Sequence, residues 1–169
     1  MKTRTMPFRR IVAVSVAAIV LAVLPGTSVS QCENYEAFLH WEGEVALPGQ
    51  ADAVAISGHF ALVADDYHGL QIVDVADPRN PRIVGAVDTP GYALNVAIAG
   101  NYAFVADATS GMQIVNFANP ASPRIVSTVH TPGTVRCVAI SGNHAYVADD
   151  WAGIEIVDIP MDELLEGFR

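Results

Sequence analysis

The sequence predicts an all-β fold: a β-propeller-type array of four-stranded antiparallel blades, about three of them. Three observations carry this reading. The stretch VADDYHGLQIVD at 63–74 returns 42 residues later as VADATSGMQIVN, and 42 residues after that as VADDWAGIEIVD. Between 49–90 and 91–132, 23 of 42 positions are identical without a gap. Within each period, short β-rich apolar runs alternate with glycine and proline turns, and there is no apolar stripe at helical spacing.

Each unit opens on an inner strand rich in Ala and Val: Val54-Ala55-Ile56, Val96-Ala97-Ile98 or Val138-Ala139-Ile140. Gly58-His59, Gly100-Asn101 and Gly142-Asn143 follow, residues that tolerate the positive φ of a tight hairpin. The second strand is FALVAD, YAFVAD or HAYVAD, and a second turn ends at Gly69, Gly111 or Gly153. The third strand is LQIVDV, MQIVNF or IEIVDI. A crossing DPRNP or NPASP must be loop, because proline cannot donate to a strand ladder. The fourth strand, RIVGAV or RIVSTV, ends at Thr89-Pro90-Gly91 or Thr131-Pro132-Gly133. In the first blade the strands are expected near 53–57, 60–64, 70–75 and 82–88.

The blade inventory is uneven. WEGEVALP at 41–48 aligns with a fourth strand, Gly43 matching Gly85 and Pro48 matching Pro90. An orphan strand at 41–48 is therefore followed by whole blades at 49–90 and 91–132 and by a three-stranded blade at 133–159. Rings usually need four to eight blades, and open edges invite pairing. Three arrangements are left open: two copies joined in a six-bladed ring, one stretch of a longer propeller, or a compact or open monomer.

The run Gly-Leu-Gln-Ile-Val-Asp-Val at 69–75, followed by DPxxP and closed by DTPG at 88–91, resembles the LVIVD repeat family. The resemblance covers roughly 41–159. It implies β-propeller repeats of the kind found in exported and cell-surface proteins of bacteria and archaea. It implies no particular activity, and this chain is short for such a protein.

Residues 1–30 read as a secretory signal: Lys2, Arg4, Arg9 and Arg10, fourteen uncharged residues, then Pro25-Gly26 and Ser28-Val29-Ser30. Residues 31–40 are a linker and 161–169, MDELLEGFR, an acidic tail with room for one helical turn. A lipoprotein anchored at Cys32 is the alternative, and Gln31 before the cysteine argues against it. The expected location is periplasmic, secreted or cell surface, with no membrane span in the mature chain. Without the four basic residues of the signal, five arginines stand against eighteen acids, a net charge near −13. Nucleic acid needs a basic face, so it is excluded as a partner. Cys137 aligns with Ala53 and Asn95 and is expected to be a small buried thiol.

The second-to-third strand turns and the blade crossings should share one face of the disc. There lie Asp65, Asp66, Tyr67 and His68, then Asp107, then Asp149, Asp150 and Trp151, with Tyr92 and Arg136 from the crossings. Asp65, Asp107 and Asp149 recur in every unit, as a turn former should and a catalyst need not. They are expected to accept N–H bonds from the next two residues. The varying aromatics Tyr67, Tyr92 and Trp151 suit a ligand surface. No catalytic motif occurs, and no cofactor is implied. An acidic rim could take calcium or a cation, but no D-x-D-x-D-G loop is present. The expected function is an exported, non-enzymatic module that binds a protein or small ligand. A hydrolase- or lyase-like enzyme with its site on this face is the alternative.

Overall fold

The computed structural model describes residues 42–160. The signal, the linker, Cys32, His40, Trp41 and the acidic tail all lie outside the described residues. Eleven strands are described, in three antiparallel sheets. The first holds β1 (Ala53–Ser57), β2 (Phe60–Ala64), β3 (Leu70–Asp74) and β4 (Arg82–Val87), in that order. The second repeats it with β5 (Asn95–Ala99), β6 (Tyr102–Ala106), β7 (Met112–Asn116) and β8 (Arg124–Val129). The third holds β9 (Cys137–Ser141), β10 (His144–Ala148) and β11 (Ile154–Asp158). The expected strands of the first blade are all present, the last two ending a residue earlier. Among the described residues the helical content is one 3-10 turn, Asp150–Ala152.

The turn chemistry sets the meander. Ser57 pairs with Phe60, so β1 and β2 are joined by two residues, and Gly58 takes the positive φ of 59° that such a turn requires. Asp74 and Asn116 hold the proline loops: their Oδ1 atoms accept the Ala76 and Ala118 amides at 3.0 and 2.9 Å. β3–β4 and β7–β8 carry a bulge at the same place, between Ile72 and Val73 and between Ile114 and Val115.

Sheets stack face on face, and each sandwich is an apolar core. Leu62, Leu70 and Ile72 of the first sheet meet Val96, Val105 and Val115 of the second. Phe104, Met112 and Ile114 of the second meet Val138, Ala145 and Val147 of the third. Period-two alternation explains this: every middle-strand residue faces one neighbour blade or the other, so β2 and β6 are apolar throughout.

Residues 42–48 pair with no strand among the described residues, yet they alternate exposed and half-buried. Val45 and Leu47 cover Ala61, Val63 and Val73 on the outer face of the first sheet. Gly43 lies against the Pro78 carbonyl as Gly85 lies against Pro120. The segment thus sits where the fourth strand of a preceding blade would sit. Among the described residues, no third strand lies beside it to form a ladder.

The expectation for Cys137 is corrected. Cys137 is a free thiol and exposed. It starts β9 on the side of the third sheet that, among the described residues, no further blade covers. Its counterparts Ala53 and Asn95 are half-buried because a blade follows each.

Candidate functional site

The three recurring aspartates are fully buried. Their carboxylates do not take the next two amides, as the sequence suggested. They reach back 16 and 18 residues into the loop that closes the preceding blade. Asp107 Oδ1 accepts the Thr89 hydroxyl at 2.6 Å, and its Oδ2 accepts the Gly91 amide at 2.9 Å. Asp149 repeats this with Thr131 at 2.8 Å and Gly133 at 2.8 Å. Asp65 accepts the Gly49 amide at 3.1 Å, but its Oδ1 has no partner. The reason is in the sequence: Leu47 stands where Thr89 and Thr131 stand. What remains a turn feature is the backbone, since His68, Ser110 and Ala152 donate to the carbonyls of the same aspartates at 2.9 Å each.

Burial pushes the Asp107 carboxyl above the usual aspartate range, while the bonds from Thr89, Gly91 and Gln113 pull it back part of the way. These carboxylates are clips between blades, closed to a diffusing ligand. The threonines are the functional partners that the sequence reading passed over. Their signal was available: Thr-Pro-Gly recurs at a fixed distance before each of two aspartates.

A second tie is made by backbone. Asp66, Ala108 and Asp150 hold φ near 47°, the left-handed region that non-glycine residues avoid. The Asp66 carbonyl accepts the Ala93 amide of the next blade at 3.0 Å, and the Ala108 carbonyl accepts that of Val135 at 3.0 Å. These two bridges join the turn of one blade to the crossing that leads into the next.

The other predicted residues divide into two groups on the exposed turn face. Tyr67, 66% exposed, meets Tyr92, 39% exposed, edge to face with ring centroids 4.3 Å apart. The hydrogen bond with Tyr92, more than any other cause, holds the Tyr67 phenol above its ordinary pKa. Asp66 adjoins this pair. The exposed His68 imidazole lies over Gly49, with the free Asp65 oxygen beside the same glycine. In the third blade, Arg136 pairs with Asp150 at 3.3 Å, beside Trp151, which is 77% exposed. The second blade's turn between them offers only Thr109 and Ser110.

Two hollows lie elsewhere, in the proline loops. One of about 510 Å³ is lined by Asp74, Asp77, Asn80 and Arg82, and one of about 380 Å³ by Asn116, Asn119, Ser122 and Arg124. They recur with the repeat and are open and polar, so they are the shape of the loop. Among the described residues, no group of three or more His, Cys, Asp or Glu is placed to hold a metal ion. No helix among them is long and apolar enough to cross a membrane.

Sheets stacked in sequence order, with each clipped to the last, define a propeller-type repeat module, whose described residues build three blades, the third with three strands. The chain belongs to the LVIVD repeat family: the LVIVD repeat matches at residues 48–89, 90–131 and 132–160. No curated protein matches the chain. Among solved structures, it is similar to the computationally designed Ika4 protein at 7% identity and a TM-score of 0.45, over 72% of this chain and 98% of that one. It is also similar to the N-terminal domain of Nup159 at 12% identity and a TM-score of 0.39, over 69% of this chain and 32% of that one. These likenesses carry no functional argument.

Proposed function

We propose that this LVIVD chain is an exported, non-enzymatic binding or scaffold module that acts at the cell envelope or outside the cell. Its ligand is a protein or a small molecule and not a nucleic acid, and it works without a cofactor. The observation that carries this reading is the division of labour on the turn face. The invariant carboxylates are buried in clips, whereas the residues that differ between blades, Tyr67, Tyr92, His68 and Trp151, are the exposed ones. Large exposed aromatics on a rigid scaffold are the usual anchors of recognition surfaces. The acidic chain favours a partner with basic or neutral character.

The test is capture from an envelope extract by the purified chain, compared with a Tyr67→Ala, Tyr92→Ala, Trp151→Ala variant. A bound component that the variant loses, while its CD spectrum is unchanged, supports the reading. Turnover of ester, lactone or glycoside substrates that is abolished by His68→Ala would replace it with the enzymatic alternative. A rise in melting temperature on adding millimolar calcium would remove the claim that no metal is involved.

A further inference from the structure

The chain carries both halves of the interface that it uses twice internally. In each internal junction, one face of a blade receives the opposite face of the next. The giving positions are Leu62, Leu70 and Ile72 in the first blade and Phe104, Met112 and Ile114 in the second, all buried. Their counterparts in the third blade are Tyr146, Ile154 and Ile156, which are 41%, 73% and 63% exposed. The receiving positions on the inner strand include Val96 in the second blade and Val138 in the third, both buried. Their counterpart Val54, with Ile56, is 61% and 62% exposed.

Polar groups repeat the pattern. The backbone bridge needs an amide like those of Ala93 and Val135 and a carbonyl like those of Asp66 and Ala108. The remaining donor of this series is the Ala51 amide, at the first blade. The remaining acceptor is the Asp150 carbonyl, at the third, whose φ of 47° already has the bridging value. Strands match as well: among the described residues, β11 has no fourth strand beside it, as its two counterparts have, and 42–48 is laid out as a fourth strand beside no third one.

We propose that a second copy of this chain covers these faces, so that two chains join head to tail in a closed six-bladed ring. Residues 42–48 of each copy then add to β11 of the other as its missing fourth strand. Six blades allot about 60° to each, so three blades fill half of a ring and a two-fold axis closes it. Closure removes both open edges, which neither face-to-face nor edge-to-edge pairing does. The β3–β4 register, Ile72 on Gly85 and Gln71 on Ala86, transfers to Ile156 on Gly43 and Glu155 on Glu44. Glu155 stands where Gln71 and Gln113 stand, so two carboxylates would face each other across each new ladder. This inference is independent of what the turn face binds.

The experiment is sedimentation or light scattering of the purified chain at about 1–100 μM, with three variants. Wild type is expected at twice the chain mass. Ile156→Lys and Val54→Lys each place a charge on one bare face. Both sites are exposed within the chain, so the fold should hold, and each variant alone should be monomeric, with dissociation raised at least about 100-fold. Mixing the two should restore a dimer through the one intact junction, which only head-to-tail pairing allows. Glu155→Gln should tighten the ring by about fivefold per junction, by removing like charges set directly opposite. A wild type that stays monomeric at 100 μM overturns the proposal. So does a dimer insensitive to both lysines, or a mixture that stays monomeric. Mass that grows with concentration beyond two copies would show a chain that does not close, and overturns the ring.

Discussion

Asp107 and Asp65 hold the same place in consecutive blades, and only Asp107 has both carboxylate oxygens engaged. One residue, 18 positions upstream, makes the difference: Thr89 donates to Asp107, whereas Leu47 cannot donate to Asp65. Leu47 is not idle, since it covers Val63 and Val73 on an outer face that no full blade protects. The comparison sets a complete clip in one blade against apolar cover in the other. It also separates what the aspartate does for its turn from what it does for the junction.

Breaking the complete clip should have the largest effect. Asp107→Ala strands the buried Thr89 hydroxyl and the Gly91 amide, and is expected to cost about 3 kcal/mol, two charge-assisted bonds in place of one. Asp65→Ala loses one longer bond and also removes an unpartnered buried oxygen, so it should cost about 1 kcal/mol or less. Urea denaturation of both variants measures the gap. Equal losses would mean that the carboxylates serve their own turns and that the junction bonds are incidental. Next in size is the repair. Leu47→Thr supplies the missing donor at the cost of half-buried apolar surface, for a net gain of about 1 kcal/mol. A destabilised Leu47→Thr variant would mean that the apolar cover outweighs the clip.

How much of this was legible in the sequence depends on the reach of each interaction. The blades were legible, because their punctuation is local: Gly58 and Gly100 at hairpins, DPRNP and NPASP at crossings, and period-two runs between them. The buried role of the three aspartates was legible as structural, since a residue needed once per blade recurs once per blade. Their partners were not, because an aspartate beside a turn has an obvious local use, and the real donors sit in the preceding blade. Cys137 was misread for a similar reason. Its apolar neighbours Val138 and Ile140 belong to a core, but whether its own side is covered depends on a blade that follows, which no local pattern encodes. The pairing of Tyr67 with Tyr92 was likewise invisible, since it needs the turn of one blade and the crossing into the next to meet.

The smallest expected effect is a slope against pH, and it too comes from the complete clip. Asp107 has its pKa raised in the fold, chiefly by burial, so ionisation is easier in the unfolded chain. The folded state therefore binds the proton more tightly, and this group's contribution to stability is greatest below the ordinary aspartate pKa of about 3.9. It is lost as pH rises from there through the raised value. Asp74 runs the other way. The bond from the Ala76 amide, and then Arg82, hold it below the ordinary range, so its contribution appears as pH climbs toward that range and is lost on acidification. Subtracting the stability curve of Asp107→Asn from that of wild type isolates the first slope, because Asp74 and the other acidic residues are common to both. The difference should move against wild type as pH rises above about 4, and level off once pH has passed the raised value. A difference that moves in favour of wild type over that window would mean that the bonds from Thr89 and Gly91 outweigh burial, and that the clip is stabilised by its charge.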